Sequence, residues 1–124
     1  MWLAGGKPLS EECDECISDA YPEEFEVRES DYRIVKPRFS GFFGTPLDLI
    51  LRRLGVNTVI LAGTTTPNCI RTSCYDALSL DYDVIVLSDC TSSVTEEVQR
   101  ANLGDMARIG AQIETVWELR ALFG

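Results

Sequence analysis

The chain has 124 residues, 20 of them acidic and 11 basic, giving a net charge of −9 with no histidine. That length allows one domain with one modest core, and an acid excess without a basic cluster argues against nucleic acid or an anionic membrane as a partner. The lack of histidine excludes Ser-His-Asp and Cys-His catalysis within the chain, together with any zinc site that needs imidazole.

Residues 1–30 are weakly patterned. Gly5, Gly6, Pro8 and Pro22 punctuate them, and much of the acid excess falls between Glu11 and Asp31, as a solvated segment would show. A short helix over Glu11–Ala20 is the only element expected there. Tyr32–Val35 reads as a short strand. Lys36–Gly44 then forms an aromatic, glycine-bearing loop. Thr45 can cap a helix with Pro46 at its first position. Leu47, Leu49, Ile50, Leu51 and Leu54 give that helix a core-facing set, and Gly55 ends it.

Val59–Ala62 is a short apolar run, as a strand covered on both faces would be. Gly63 and three threonines break it. Thr66 suits an N-cap and Pro67 the first helical position. Asp83–Ser88 is the next strand. Thr95 opens a helix that runs to about Ile109, and Gly110 stops it. Ala111–Thr115 is the last strand and Val116–Leu122 the last helix. Strands alternating with helices at short spacing predict an α/β fold with a parallel sheet. No internal repeat, low-complexity tract or second-domain boundary appears, so residues 1–124 are expected to form a single domain. No apolar run approaches a membrane span, and no basic-then-apolar leader opens the chain. Both fit a soluble, cytoplasmic protein.

This pattern places Cys69 in the first turn of a helix, directly after a strand. Free backbone N–H groups and the positive end of the helix dipole favour a thiolate there, and a strand-to-helix turn is a common seat for a nucleophile. The plainer alternative is that Cys69 is packing, since cysteine is among the most buried residue types. Parallel sheets bind ligands at the carboxyl ends of their strands. Lys36, Gly63–Cys69 and Asp89-Cys90-Thr91 all lie at such ends and can converge.

A lysine near the thiol would stabilise developing negative charge, although a lysine is more often a surface group. Phe39, Phe42 and Phe43 are either core or the wall of a pocket. Asp89 reads as structural, holding the loop before Ser92. Five cysteines, an odd number at irregular spacings, do not look like a disulfide framework. Cys13 and Cys16 form a lone CxxC without a histidine or a second pair, which is poor for zinc and lacks a thioredoxin-like context. Neither a metal nor a cofactor is expected.

The run Tyr32-Arg33-Ile34-Val35-Lys36-Pro37-Arg38-Phe39-Ser40-Gly41-Phe42-Phe43-Gly44-Thr45, the glycine-threonine turn ending in Cys69, and the Asp89-Cys90-Thr91-Ser92-Ser93 turn occur in one order and spacing. Together they resemble the isochorismatase-like cysteine hydrolases, over roughly residues 31–119. The resemblance implies a three-layer α/β fold, Rossmann-like, with helices on both sides of a parallel sheet. It implies an Asp-Lys-Cys triad, of which Lys36 and Cys69 match the lysine and the nucleophile. It also implies a non-proline cis peptide, here Thr64–Thr65, that aims the N–H groups of Thr65 and Cys69 at a substrate oxyanion. Arg38, Phe39 and Phe42 become pocket candidates. Family members that cleave a vinyl ether usually lack the cysteine, so its presence points to a small amide or ureide.

One departure is large. The family aspartate sits at the end of an N-terminal strand, and no acid in residues 1–30 follows a suitable apolar run. The fold is therefore expected to be N-terminally truncated. The expected function is cysteine-dependent hydrolysis of a small-molecule amide, within a homo-oligomer. The competing expectation is a catalytically incomplete module whose open sheet edge is covered by a partner or a second copy.

Overall fold

In the computed structural model, residues 26–123 are described, and the expected helix at Glu11–Ala20 and the Cys13/Cys16 pair lie outside them. The architecture follows from two apolar strands and a short third one that cannot bury themselves alone. Strands β1 (Thr58–Thr64), β2 (Asp83–Ser92) and β3 (Gln112–Glu114) form a parallel sheet in the order β1-β2-β3. Helix α1 (Leu47–Arg53) precedes β1, α2 (Arg71–Ser79) joins β1 to β2, α3 (Glu96–Arg108) joins β2 to β3, and α4 (Val116–Phe123) follows.

β2 is the middle strand and the most apolar. Val84, Ile85, Val86 and Leu87 are all buried, as expected of a strand paired on both edges and covered on both faces. Side chains alternate across a strand. Val84 and Val86 join Ile70, Cys74, Ala77 and Met106 in the main core, so α2 and α3 cover that face. Ile85 and Leu87 point to the opposite face, where α4 packs on β2 and β3. The result is the three-layer α/β arrangement that the strand–helix alternation predicts.

The helix ends follow local chemistry. Thr95 caps α3 through its side chain, which accepts from the Val98 N–H at 3.2 Å. Gly55 and Gly110, at φ of +69° and +117°, take the left-handed turns after α1 and α3 that other residues resist.

The sheet has one large irregularity. Leu61 pairs with Val86, but Gly63 pairs with Thr91. Two steps along β1 therefore face five along β2, and the Thr91 hydroxyl donates to the Leu87 carbonyl at 2.9 Å to close the excursion. Beyond it, Thr64 pairs with Ser92.

Several expectations need correction. Tyr32–Val35 is not a strand. Its alternation is real, with Ile34 and Lys36 buried around an exposed Val35, but no strand among the described residues pairs with it. β1 is not covered on both faces, for its residues alternate between exposed and half-buried. It is also longer than Val59–Ala62, because Gly63 and Thr64 keep pairing past the irregularity. α1 turns only part of its apolar set inward. Leu47 and Leu51 pack against the core, whereas Leu49 and Leu54 are 71 % and 54 % exposed. A stripe spaced at three and four residues cannot hold every leucine of a leucine-rich helix. β2 runs on to Ser92 instead of ending at Ser88, so Asp89 lies within the strand. Its carboxylate accepts from the Val116 N–H at 3.1 and 3.2 Å, capping α4 and not holding the loop before Ser92.

Candidate functional site

The carboxyl end of β1 delivers the chain into a turn with an unusual backbone. The Thr64–Thr65 peptide is cis. Thr66–Ile70 then forms a π-helical turn, with Thr65 rather than Thr66 at its N-cap, that leads directly into α2. Three side chains fix this turn. The fully buried Thr66 donates its hydroxyl to the Ser92 carbonyl at 3.1 Å. The Asn68 amide donates to the Thr65 hydroxyl at 3.1 Å, and the Thr72 hydroxyl donates to the Asn68 carbonyl at 2.7 Å. Arg71 ties the start of α2 to α3 by donating to Asn102 at 2.8 Å and pairing with Asp105 at 3.0 Å. Cys69 sits inside this braced turn, half-buried and with a free thiol.

Lys36 arrives from the other side. It is buried, and its ammonium donates to Cys69 Sγ at 3.3 Å and to the Arg38 carbonyl at 3.0 Å. The apolar alternation of Ile34, Val35 and Lys36 turns the lysine inward. The loop behind it is closed on itself. The Phe42 N–H donates to the Ser40 hydroxyl at 3.1 Å, and the Thr45 hydroxyl donates to the Gly41 carbonyl at 2.5 Å. A Cβ on Gly44, whose φ is +65°, would meet Pro37 at 3.1 Å, so only glycine lets the loop close so tightly.

A buried ammonium needs compensation. Among the described residues Lys36 forms no ion pair with a carboxylate, and the sulfur is the group with an ionisable proton beside it.

The two groups open on a cleft of about 260 Å³. Phe42, Leu51 and Leu61 form apolar walls, Ser73 a polar point, and the run Val59–Thr64 a long side. A second hollow of about 350 Å³ lies at the opposite end of the strands, beside Thr58, Asp83 and Gln112, and offers no nucleophile.

The other described cysteines are poorer nucleophiles. Burial pushes the Cys74 thiol up from its ordinary 9.0 to about 11. Partial burial of its sulfur, and then the Asp89 carboxylate, raise the Cys90 thiol as well. Among the described residues no group of three or more Cys, Asp or Glu side chains is placed to hold a metal ion.

The candidates from the sequence divide plainly. Lys36, Cys69, Thr64 and Phe42 meet at the cleft. Thr65 is not among the lining residues, and its hydroxyl accepts from the Asn68 amide. Arg38 is exposed, with its guanidinium donating to the Pro37 carbonyl at 2.7 Å, and Phe39 is 41 % exposed. Neither lines the cleft. Asp89 and Cys90 do not line it either. Ser73 does, and nothing in the sequence around it gives that away, because its partner Gly41 is distant in the chain.

Comparison with known proteins bears on the family and the fold. The isochorismatase domain family matches residues 18–118. A probable inactive nicotinamidase of Arabidopsis thaliana is 47 % identical over 91 residues, covering 73 % of this chain and 46 % of that protein. The ureidoacrylate amidohydrolase RutB of Klebsiella pneumoniae is 42 % identical over 69 residues, covering 56 % of this chain and 29 % of its own length. The crystal structure of an isochorismatase-like hydrolase from Alkaliphilus metalliredigens superposes with a TM-score of 0.80 at 38 % identity, over 84 % of this chain and 57 % of that one. The chain thus spans about half, or less, of the length of the curated relatives it matches.

Proposed function

This chain belongs to the isochorismatase family, and we propose that it carries the thiol half of a site hydrolysing a small amide or ureide. The observation that carries this reading is the Lys36 ammonium, 3.3 Å from Cys69 Sγ at the mouth of a cleft. The thiolate of Cys69 attacks the substrate carbonyl carbon. The carbonyl oxygen takes up negative charge, which the turn's N–H groups at Thr65 and Cys69 are proposed to receive. The C–N bond then breaks, the amine or ammonia leaves with a proton, and the acyl group stays on sulfur as a thioester. Water attacks the thioester, releasing the carboxylic acid and restoring the thiol. Lys36 stabilises the negative sulfur before attack and after release. A carboxylate is required to move the thiol proton, and among the described residues none pairs with Lys36. The chemistry needs no electron or group carrier.

The substrate class follows from the same reading. A ureide is supported by the likeness to the ureidoacrylate amidohydrolase, and the apolar cleft walls favour a neutral acyl portion over a charged one.

The test is ammonia release from a panel of small amides and ureides, read alongside intact mass. Turnover that vanishes in Cys69→Ala, with an acyl adduct on Cys69 in the unaltered chain, is the expected result. Cys69→Ala is expected to lower turnover by at least about 10³-fold. Turnover that survives that substitution would overturn the reading.

One observation favours a second reading. Among the described residues no carboxylate pairs with Lys36, and the outer edge of β1 carries no partner strand. A non-catalytic α/β module, with that edge covered by a partner or a second copy, accounts for both. It predicts no ammonia release from any substrate and a sedimentation coefficient above that of a monomer. A well-behaved monomer that turns over amides removes it.

A further inference from the structure

The two halves of the cleft come from segments far apart in the chain, and two contacts join them. One is the Lys36–Cys69 contact already described. The other lies four residues further along the same helical run, where Ser73 Oγ accepts the Gly41 N–H at 2.9 Å in a buried environment.

Cys69 and Ser73 are separated by about one helical turn, so both face the Lys36–Thr45 loop. Among the described residues no strand ladder holds that loop. Inside the loop Gly41 is the hub, since its carbonyl accepts from Thr45 while its N–H is held by Ser73. With Gly41 pinned to α2, the short segment back to Lys36 has little freedom. Lys36 Nζ is further fixed by the Arg38 carbonyl in that segment. Ser73 lines the cleft but binds the loop backbone, not a reacting atom.

We propose that Ser73 is a positioning residue that holds the Lys36 loop on α2 and so sets the Lys36–Cys69 contact. The proposal rests on Cys69 being the reactive thiol of the site, not on turnover of any substrate. A merely structural serine would change stability. A positioning serine changes Cys69 chemistry, and does so through Lys36.

The experiment is site-mapped iodoacetamide labelling of Cys69 near neutral pH, with Cys90 as an internal control, in the unaltered chain, Ser73→Ala, Ser73→Thr, Lys36→Met and the Ser73→Ala/Lys36→Met pair. Ser73→Ala is expected to slow Cys69 labelling roughly threefold or more while leaving Cys90 unchanged. Ser73→Thr, which keeps the acceptor oxygen, restores the rate. In the Lys36→Met background Ser73→Ala adds nothing further, because the route of its effect is already gone. An unchanged Cys69 rate in Ser73→Ala, or effects that multiply in the double variant, would overturn the proposal. Should Ser73→Ala fail to fold, hydrogen exchange of the Gly41 amide in the unaltered chain decides the matter. Strong protection supports the clamp, and exchange at the rate of an unbonded loop amide overturns it. If no amide is ever hydrolysed, the hydrolase reading falls while these labelling rates still judge Ser73.

Discussion

Strands β1 and β2 are both apolar runs and run side by side, yet Val86 is fully buried while its register partner Leu61 is only half-buried and the adjacent Ile60 is 43 % exposed. The difference lies in the neighbours. β2 has a strand on each edge and helices on each face, so Val84–Leu87 are all buried. Among the described residues β1 has one paired edge, and its other side forms the long wall of the cleft. The molecule therefore divides into a side that carries stability, around β2, α2 and α3, and a side that carries chemistry, around β1, α1 and the Lys36 loop. Composition alone does not separate the two, because apolar strands of either kind are spelled with the same residues.

The sharpest way to break this comparison is to place one charge on each side. Val86→Asp buries a carboxylate with no partner and is expected to cost about 4 kcal/mol or more, leaving little folded protein. Ile60→Asp, half in solvent, is expected to cost about 1 kcal/mol or less. Urea titrations followed by circular dichroism would show both, and equal losses would erase the distinction.

A smaller effect comes from pH. Cys74 is buried in the stable side, and its thiol is pushed up from 9.0 to about 11. The folded chain holds this proton where the unfolded chain loses it. Its contribution is therefore whole below pH 9, declines as pH rises towards 11, and is gone above that. The full loss is on the order of 3 kcal/mol. Denaturation midpoints from about pH 8 to about pH 11 should fall in the unaltered chain and fall less in Cys74→Ala, once that variant's lower starting stability is allowed for. Parallel slopes in the two proteins would contradict the assignment.

The smallest pair compares two threonines. Thr95→Ala removes the α3 cap and should cost about 1 kcal/mol with no change in the labelling rate of Cys69. Thr45→Val loosens the Lys36 loop, where few apolar groups are at stake. It should cost less than about 1 kcal/mol and yet slow that labelling measurably. Calorimetry and labelling on the same samples would reveal a reversal of this pattern.

Much of this organisation is legible in the amino-acid sequence wherever the signal is local. The α3 cap and its stop depend on Thr95 and Gly110, each acting within a turn of its own position. The parallel order follows from strand–helix alternation, and the resemblance of the Lys36 and Cys69 segments to the family marks the pair, although Lys36 follows no strand. What escapes is what distant contacts decide. Tyr32–Val35 has a strand's alternation but no partner among the described residues. Asp89 looks like a loop anchor until Val116 is brought beside it. The cleft walls exclude Arg38 and Phe39 because the loop turns them outward, and no local rule sets that direction. Ser73 has nothing in its own neighbourhood to mark it, since its role depends on Gly41.

The register jump between Leu61 and Gly63 gives the sheet two ladders in series. The lower one is the body of the fold. The upper one, Gly63–Thr91 and Thr64–Ser92, carries the turn that holds Cys69. Between them lies a slack length of β2 closed by the Thr91–Leu87 hydrogen bond. It works as a compliant joint in a machine frame. A conservative swap at Val84 or Ile85 is therefore expected to loosen the lower ladder first, and to reach the thiol through the core that Val84 shares with Ile70 rather than along the strand.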